Sequence, residues 1–217
     1  MGRKIVIVDY QLGNLFSVNQ SLINIGLETV ISSKPEDIEN ADAIVLPGVG
    51  AFADAISNLN DLGLAEPIKE FVNAGKPFLG ICLGLQMLFT ESAEFGNTKG
   101  LDLIAGTVEK FPSEEIEGKK LKVPQIAWNS IYAPIGRNWE GTPLEGVVEG
   151  EDFYFVHSFF VNPSDPTVAL TKTKYGSTTY VSSIQKNNIF ACQFHPEKSA
   201  KVGLKVYRKW AELNNLI

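Results

Sequence analysis

Between Lys4 and Thr90 the chain alternates short apolar, β-branched runs with segments of helical spacing, and this alternation constrains the fold more than any other feature. Lys4 to Val8 (KIVIV) is an unbroken apolar run closed by Asp9, the pattern of a strand buried on both faces. From Asn14 to Ile25, helical spacing puts Leu15, Val18, Leu22 and Ile25 on one side, and Gly26 is the stop. Glu28 to Ser32, Ala43 to Leu46 (ended by Pro47 and Gly48) and Pro77 to Ile81 repeat the strand signal. Asp54 to Leu62 and Leu64 to Ala74 repeat the helical one, the second halted by Gly75, and Leu83 to Thr90 begins another. A β-α-β-α order predicts a parallel sheet covered by helices on both faces.

The second half changes character. Thr107 to Phe111, Trp128 to Tyr132, Phe153 to His157, Val168 to Thr173, Thr178 to Gln185 and Ile189 to Phe194 are strand-like. Ser199 to Leu213 is a closing helix with Val202, Val206 and Trp210 at helical spacing, and Pro112 to Gly118 is a polar turn. There is no linker, repeat or low-complexity tract. The expectation is one α/β domain over residues 1–217, its later strands extending or flanking the parallel core.

At 217 residues the chain can bury one substantial core. A net charge of -6 offers no counterion-releasing basic surface in bulk, which argues against nucleic acid or an anionic membrane as main partner. Two cysteines cannot build a disulfide framework, so a reducing cytoplasm is the default. Cys82, His157, Cys192 and His195 lack the paired spacing of a zinc site, so no metal is expected. The run Ile5 to Val8 is too short for a signal-peptide core. The longest apolar stretch, Pro77 to Phe89, is too short and too broken by glycine to span a bilayer.

Gly80-Ile-Cys-Leu-Gly84 sits where a strand hands over to a helix, a G-x-nucleophile-x-G elbow with cysteine in the serine's place. A sharp turn strains the central residue, flanking glycines relieve the crowding, and a helix N-terminus favours the nucleophilic thiolate. The N–H of Leu83 is then available to a developing oxyanion. By itself such a pattern also fits a small buried core cysteine. Cys192, with no glycine turn and no following helix, reads as core.

His195-Pro196-Glu197 follows the last strand. Proline holds His195 extended, and residues two apart in extended chain point the same way, so Glu197 can orient the imidazole. With Cys82, that is the orienter–base–nucleophile logic of a triad, assembled by the strand ends of a doubly wound sheet. His157 has no carboxylate two residues away and is expected to be a wall or hydrogen-bonding histidine.

Pro47-Gly-Val-Gly-Ala-Phe-Ala53 imitates a dinucleotide fingerprint. Against that use, it follows the third strand, and no acidic residue ends the next one. The other use is as oxyanion donors, the N–H groups of Val49 and Gly50, on a turn whose glycines let a peptide reorient.

Taken together, PGVGAF, GICLGLQ and QFHPEKS, in that order, resemble class I glutamine amidotransferases. Asp9-Tyr10…Gly13-Asn14, Val123-Pro124…Trp128-Asn129 and Tyr154-Phe-Val-His-Ser158 are similar to the glutaminase subunits of imidazole glycerol phosphate synthase, so that the resemblance covers nearly the whole chain. It implies a flavodoxin-like single-domain α/β fold: a mostly parallel central sheet with flanking helices and additional antiparallel strands. It implies Cys82 as nucleophile, His195 as base then acid, Glu197 as orienter, Gly50 and Leu83 at the oxyanion, and Gln86, with Ser158 nearby, at the amino-acid end of glutamine. No cofactor is implied. The implied partner is a (β/α)₈-barrel cyclase that receives the ammonia and makes imidazole glycerol phosphate in histidine biosynthesis. The alternative is a paralogue feeding a sugar-amidating synthase of surface polysaccharide. Gln11, where the family usually shows glycine, and Gln125 and Ala127, where it shows histidine and glycine, are the departures that bear on the partner.

Overall fold

The structure, a computed structural model, describes residues 3–116 and 118–217. The elements in chain order are β1 (Ile5–Val8), α1 (Leu15–Asn24), β2 (Thr29–Ser32), α2 (Pro35–Glu39), β3 (Ala43–Gly48), α3 (Phe52–Asp61), α4 (Ala65–Asn73), β4 (Phe78–Cys82), α5 (Leu83–Gln86), β5 (Phe89–Ser92), β6 (Thr98–Lys99) and β7 (Ile104–Lys110). There follow β8 (Glu115–Ile116), β9 (Lys119–Lys120), β10 (Gln125–Ser130), β11 (Asp152–His157), β12 (Phe159–Pro163), β13 (Ala169–Tyr175), β14 (Thr178–Lys186), β15 (Ile189–Cys192) and α6 (Ala200–Leu213).

The main sheet runs β2-β1-β3-β4-β15-β14-β12-β7-β5-β6, with β13 also paired to β14. The strands from β2 through β15 are parallel; β14 and β12 continue antiparallel. Alternation within β1 shows why both faces must be covered. Ile5 and Ile7 join a core with α1 and α6 (Val18, Leu22, Val206, Trp210), while Val6 and Val8 join the other with α3 and α4 (Leu59, Ile68, Phe71). Each such fully buried aliphatic side chain contributes about 1.5–3 kcal/mol. Among the described residues no helix is long and apolar enough to cross a membrane.

Three expectations need correction. β3 does not stop before Pro47 but runs to Gly48 opposite Cys82. Pro47 is tolerated because pairing with β1 ends at Val45, so its missing N–H breaks no ladder there. The helix expected from Leu83 to Thr90 is a single turn, Leu83–Gln86, after which Phe89–Ser92 joins the sheet beside β7. An apolar run of that length suits either state, and the sheet vacancy beside β7 decides it. The segment expected as a polar turn, Pro112 to Gly118, carries β8, which pairs antiparallel with β9 just beyond it; Glu117 lies outside the described residues.

Candidate active site

The parallel strands deliver their C-terminal ends to one crest, where β3 ends at Gly48, β4 at Cys82 and β15 just before His195. Cys82 is twisted to φ 54° and ψ -108°, a left-handed conformation that side chains avoid. The flanking glycines make this possible by close approach. A Cβ on Gly84 would stand 1.8 Å from the Leu46 carbonyl oxygen, and one on Gly80 2.9 Å from the Ala191 Cβ. The cysteine is thereby forced up at the strand end, with its sulfur 3.5 Å from the Gln193 Nε2 and 3.9 Å from the Val156 carbonyl oxygen.

His195 is extended, at φ -104° and ψ 97°, as the following proline requires. The chain then turns as a 3₁₀ segment, Pro196–Lys198, so Glu197 reaches the imidazole through a turn rather than along the extended chain expected from its spacing. The His195 Nδ1 lies 2.8 Å from the Glu197 Oε1, and the side chains are 2% and 1% exposed. The other carboxylate oxygen accepts from the Tyr207 hydroxyl at 3.4 Å. Gly203 lets α6 approach the turn, since a Cβ there would stand 1.8 Å from the Pro196 carbonyl oxygen. Burial by itself pushes the His195 imidazole down; the neighbouring Cys82 thiolate and the Glu197 carboxylate outweigh it and raise it to about 10. The Nε2 is buried and makes no hydrogen bond among the described residues.

In front of the sulfur lies a cleft of ≈ 240 Å³ whose walls include Val49, Gly50, Leu83, Gln86, Glu94 and Ser158. That is below the roughly 300–1,000 Å³ of drug-sized sites and suits an amino acid. Gly50, at φ 102°, holds the turn open, and Val49 beside it is exposed. Gln86 gives both hydrogens of its Nε2 away, to the Phe159 carbonyl and the Gln193 Oε1, each at 3.0 Å. Only an acceptor, its Oε1, remains to face the cleft, which matches an ammonium rather than a carboxylate.

Glu94 lines the cleft and bears on the glycine-rich turn. Its Oε2 accepts the Phe52 N–H at 2.7 Å, at the start of α3. A protein carboxylate therefore occupies the helix N-terminus on which a dinucleotide pyrophosphate would sit. Nothing in Glu91-Ser-Ala-Glu94 has a period that would mark Glu94 in the sequence. Gln193 was missed too, although alternation along Gln193-Phe-His195 puts it on the histidine's side.

His157 is a wall residue of the cleft and 6% exposed. Its Nδ1 lies 2.7 Å from the Phe159 carbonyl oxygen and must donate; its Nε2 lies 3.2 Å from the Tyr180 hydroxyl. Burial pushes it down to about 4, so at neutral pH it is uncharged. Tyr180 also meets the Gln125 amide at 3.1 Å, and Gln125 is fully buried. The Tyr180 hydroxyl donates to the Gln125 Oε1 and also faces the His157 Nε2, so its single proton lies between two acceptors. The Gln125 departure thus sits in a buried network. Gln11 lies exposed at φ 71°, where glycine would be unstrained. Cys192 is fully buried, and burial pushes its thiol well up, as befits a core residue.

The family model for class I glutamine amidotransferases matches residues 6–210. A protein of Aquifex aeolicus named imidazole glycerol phosphate synthase subunit HisH is 47% identical over 202 residues, 93% of this chain and 92% of that one. One of Legionella pneumophila (strain Paris), named imidazole glycerol phosphate synthase subunit HisH 1, is 44% identical over 208 residues, 95% of this chain and 98% of that one. The solved structure of PurLQS from Thermotoga maritima superposes with a TM-score of 0.69 at 18% identity, covering 98% of this chain and 99% of that one, a likeness of fold. On a match that runs through both the strand-end elbow and the His-Pro-Glu turn, this chain belongs to the class I glutamine amidotransferase family.

Proposed function

We propose that the chain, as one glutamine amidotransferase domain over residues 1–217, hydrolyses glutamine to glutamate and ammonia with Cys82, His195 and Glu197 as its triad. The observation that carries this is the strained Cys82 at the C-terminal end of β4 on the same sheet crest as the buried His195–Glu197 pair. The Cys82 thiolate attacks the side-chain amide carbon, and the C–O electron pair moves onto oxygen. Backbone N–H groups of Leu83 and of the Val49–Gly50 turn hold that oxyanion, each donor contributing about 3 kcal/mol. His195 gives its proton to the amide nitrogen, the C–N bond breaks and ammonia leaves. His195 then takes a proton from water, which opens the thioester and frees glutamate. Gln86 Oε1 and the Glu94 carboxylate bind the α-ammonium of glutamine, with His157 and Ser158 as wall.

The ammonia passes to a cyclase subunit, a (β/α)₈-barrel, with which the chain forms imidazole glycerol phosphate synthase in the cytoplasm for histidine biosynthesis. Relatives at 43–47% identity over nearly the full length, all carrying that subunit's name, support this partner over a sugar-amidating synthase. Glutamate release by the chain with a histidine-pathway cyclase, against a polysaccharide-pathway barrel, tests it. Strong stimulation by the first alone is expected; stimulation by the second alone contradicts the assignment.

A further inference from the structure

The Cys82 sulfur has two hydrogen-bonding neighbours of opposite kind. The Val156 carbonyl, at 3.9 Å, can only accept, so it suits a thiol. The Gln193 Nε2, at 3.5 Å, can only donate, so it suits a thiolate. As Cys82 ionises, the sulfur must therefore lean away from the carbonyl and onto the amide. Donation to a charged acceptor is also the stronger kind of hydrogen bond.

Gln193 is built for a fixed orientation. It is fully buried, and its backbone N–H is donated to the Ser182 carbonyl at 2.8 Å. Its Oε1 is taken by the Gln86 Nε2 at 3.0 Å, which leaves its own Nε2 for the sulfur. Gln86 is anchored in turn on the Phe159 carbonyl, at 3.0 Å. Gln86 thus donates both ways, to the Phe159 carbonyl and to Gln193, and Gln193 in turn donates to the Cys82 sulfur.

The geometry points to Gln193 as a positioning residue for glutamine hydrolysis: one buried amide holds the nucleophilic sulfur at one end and the substrate-binding Gln86 at the other. This rests on the glutaminase reading above. It adds that filling of the cleft at Gln86 and the aim of the thiolate are coupled through a single side chain. His195 moves the proton; Gln193 keeps the sulfur in the donor-facing position while the proton is away.

The test is the pH dependence of iodoacetamide alkylation at Cys82, read by peptide mass spectrometry, in wild type and Gln193→Met. Methionine keeps the side-chain length and removes both polar ends. The midpoint of alkylation is expected to move up by about one pH unit, a roughly tenfold loss of thiolate at fixed pH. In the complex with the cyclase, kcat should fall about tenfold and KM for glutamine should rise, because Gln86 loses its acceptor. Gln193→Asn, which draws the amide back by one methylene, carries the same test if the methionine variant does not fold. Alkylation profiles of the folded variants that overlay wild type would overturn the proposal. Failure of the glutaminase reading shows separately, as absent glutamine hydrolysis by the wild-type complex, since alkylation reads the sulfur without substrate.

Discussion

The Nδ1 of His195 and the Oε1 of Glu197 stand 2.8 Å apart with their side chains closed off from solvent. Burial opposes the charged imidazole, and Cys82 first and Glu197 after it outweigh that and hold His195 charged well past its ordinary range. His195 titrates at about 10 in the folded chain against an ordinary value of 6.5. Its contribution to stability is therefore complete below pH 6.5 and is lost as pH rises through about 10. Glu197→Gln should bring the alkaline limb of the kcat profile to lower pH and reduce kcat by about 10²–10⁴. A profile matching wild type would remove Glu197 from the mechanism.

Glu94 offers a way to separate binding from chemistry. Glu94→Gln keeps an acceptor for the Phe52 N–H and removes only the charge. KM for glutamine should rise about 10- to 100-fold with kcat little changed, the loss expected for one hydrogen bond to a charged group. Glu94→Ala should add a loss of stability of about 1 kcal/mol, because the Phe52 N–H at the start of α3 loses its acceptor. A fall in kcat with unchanged KM would place Glu94 elsewhere in the reaction.

Gly84 tests the elbow as packing. A Cβ there would meet the Leu46 carbonyl oxygen at 1.8 Å, and backbone cannot step aside cheaply. Gly84→Ala should lower stability by about 1–3 kcal/mol in denaturant titration and reduce alkylation of Cys82. Wild-type stability would mean that the strand end is looser than the structure has it.

His157 gives a pH effect of the opposite sign. Its folded value of about 4 lies below 6.5, so its contribution is present above pH 6.5 and is lost as pH falls through about 4. His157→Gln should flatten the decline in stability across that window, measured as denaturant midpoints at pH 7, 5.5 and 4. An unchanged acid limb would assign the decline to other groups.

The strand–helix alternation of the first half and the two chemical motifs were legible because each is local. Gly-x-Cys-x-Gly and His-Pro-Glu each lie within five residues, and the His195–Glu197 pairing expected from the second is the one the structure makes, through a turn. What escaped depends on register across the sheet. Glu94 reaches Phe52 from a different element, and Gln193 reaches Cys82 between neighbouring strands. Phe89 escaped because a short apolar run fits a helix or a strand until the vacancy beside β7 is known. The short α2, Pro35–Glu39, has too few turns to show a period.

The central claim is that Cys82 is the nucleophile toward glutamine. A diazo-ketone glutamine analogue, followed by peptide mass spectrometry with and without the cyclase subunit, reads it directly. An adduct on Cys82 and none on the buried Cys192, formed faster in the complex and blocked by glutamine, is the predicted result. Cys82 left unmodified under both conditions, or an adduct only on Cys192, would contradict it.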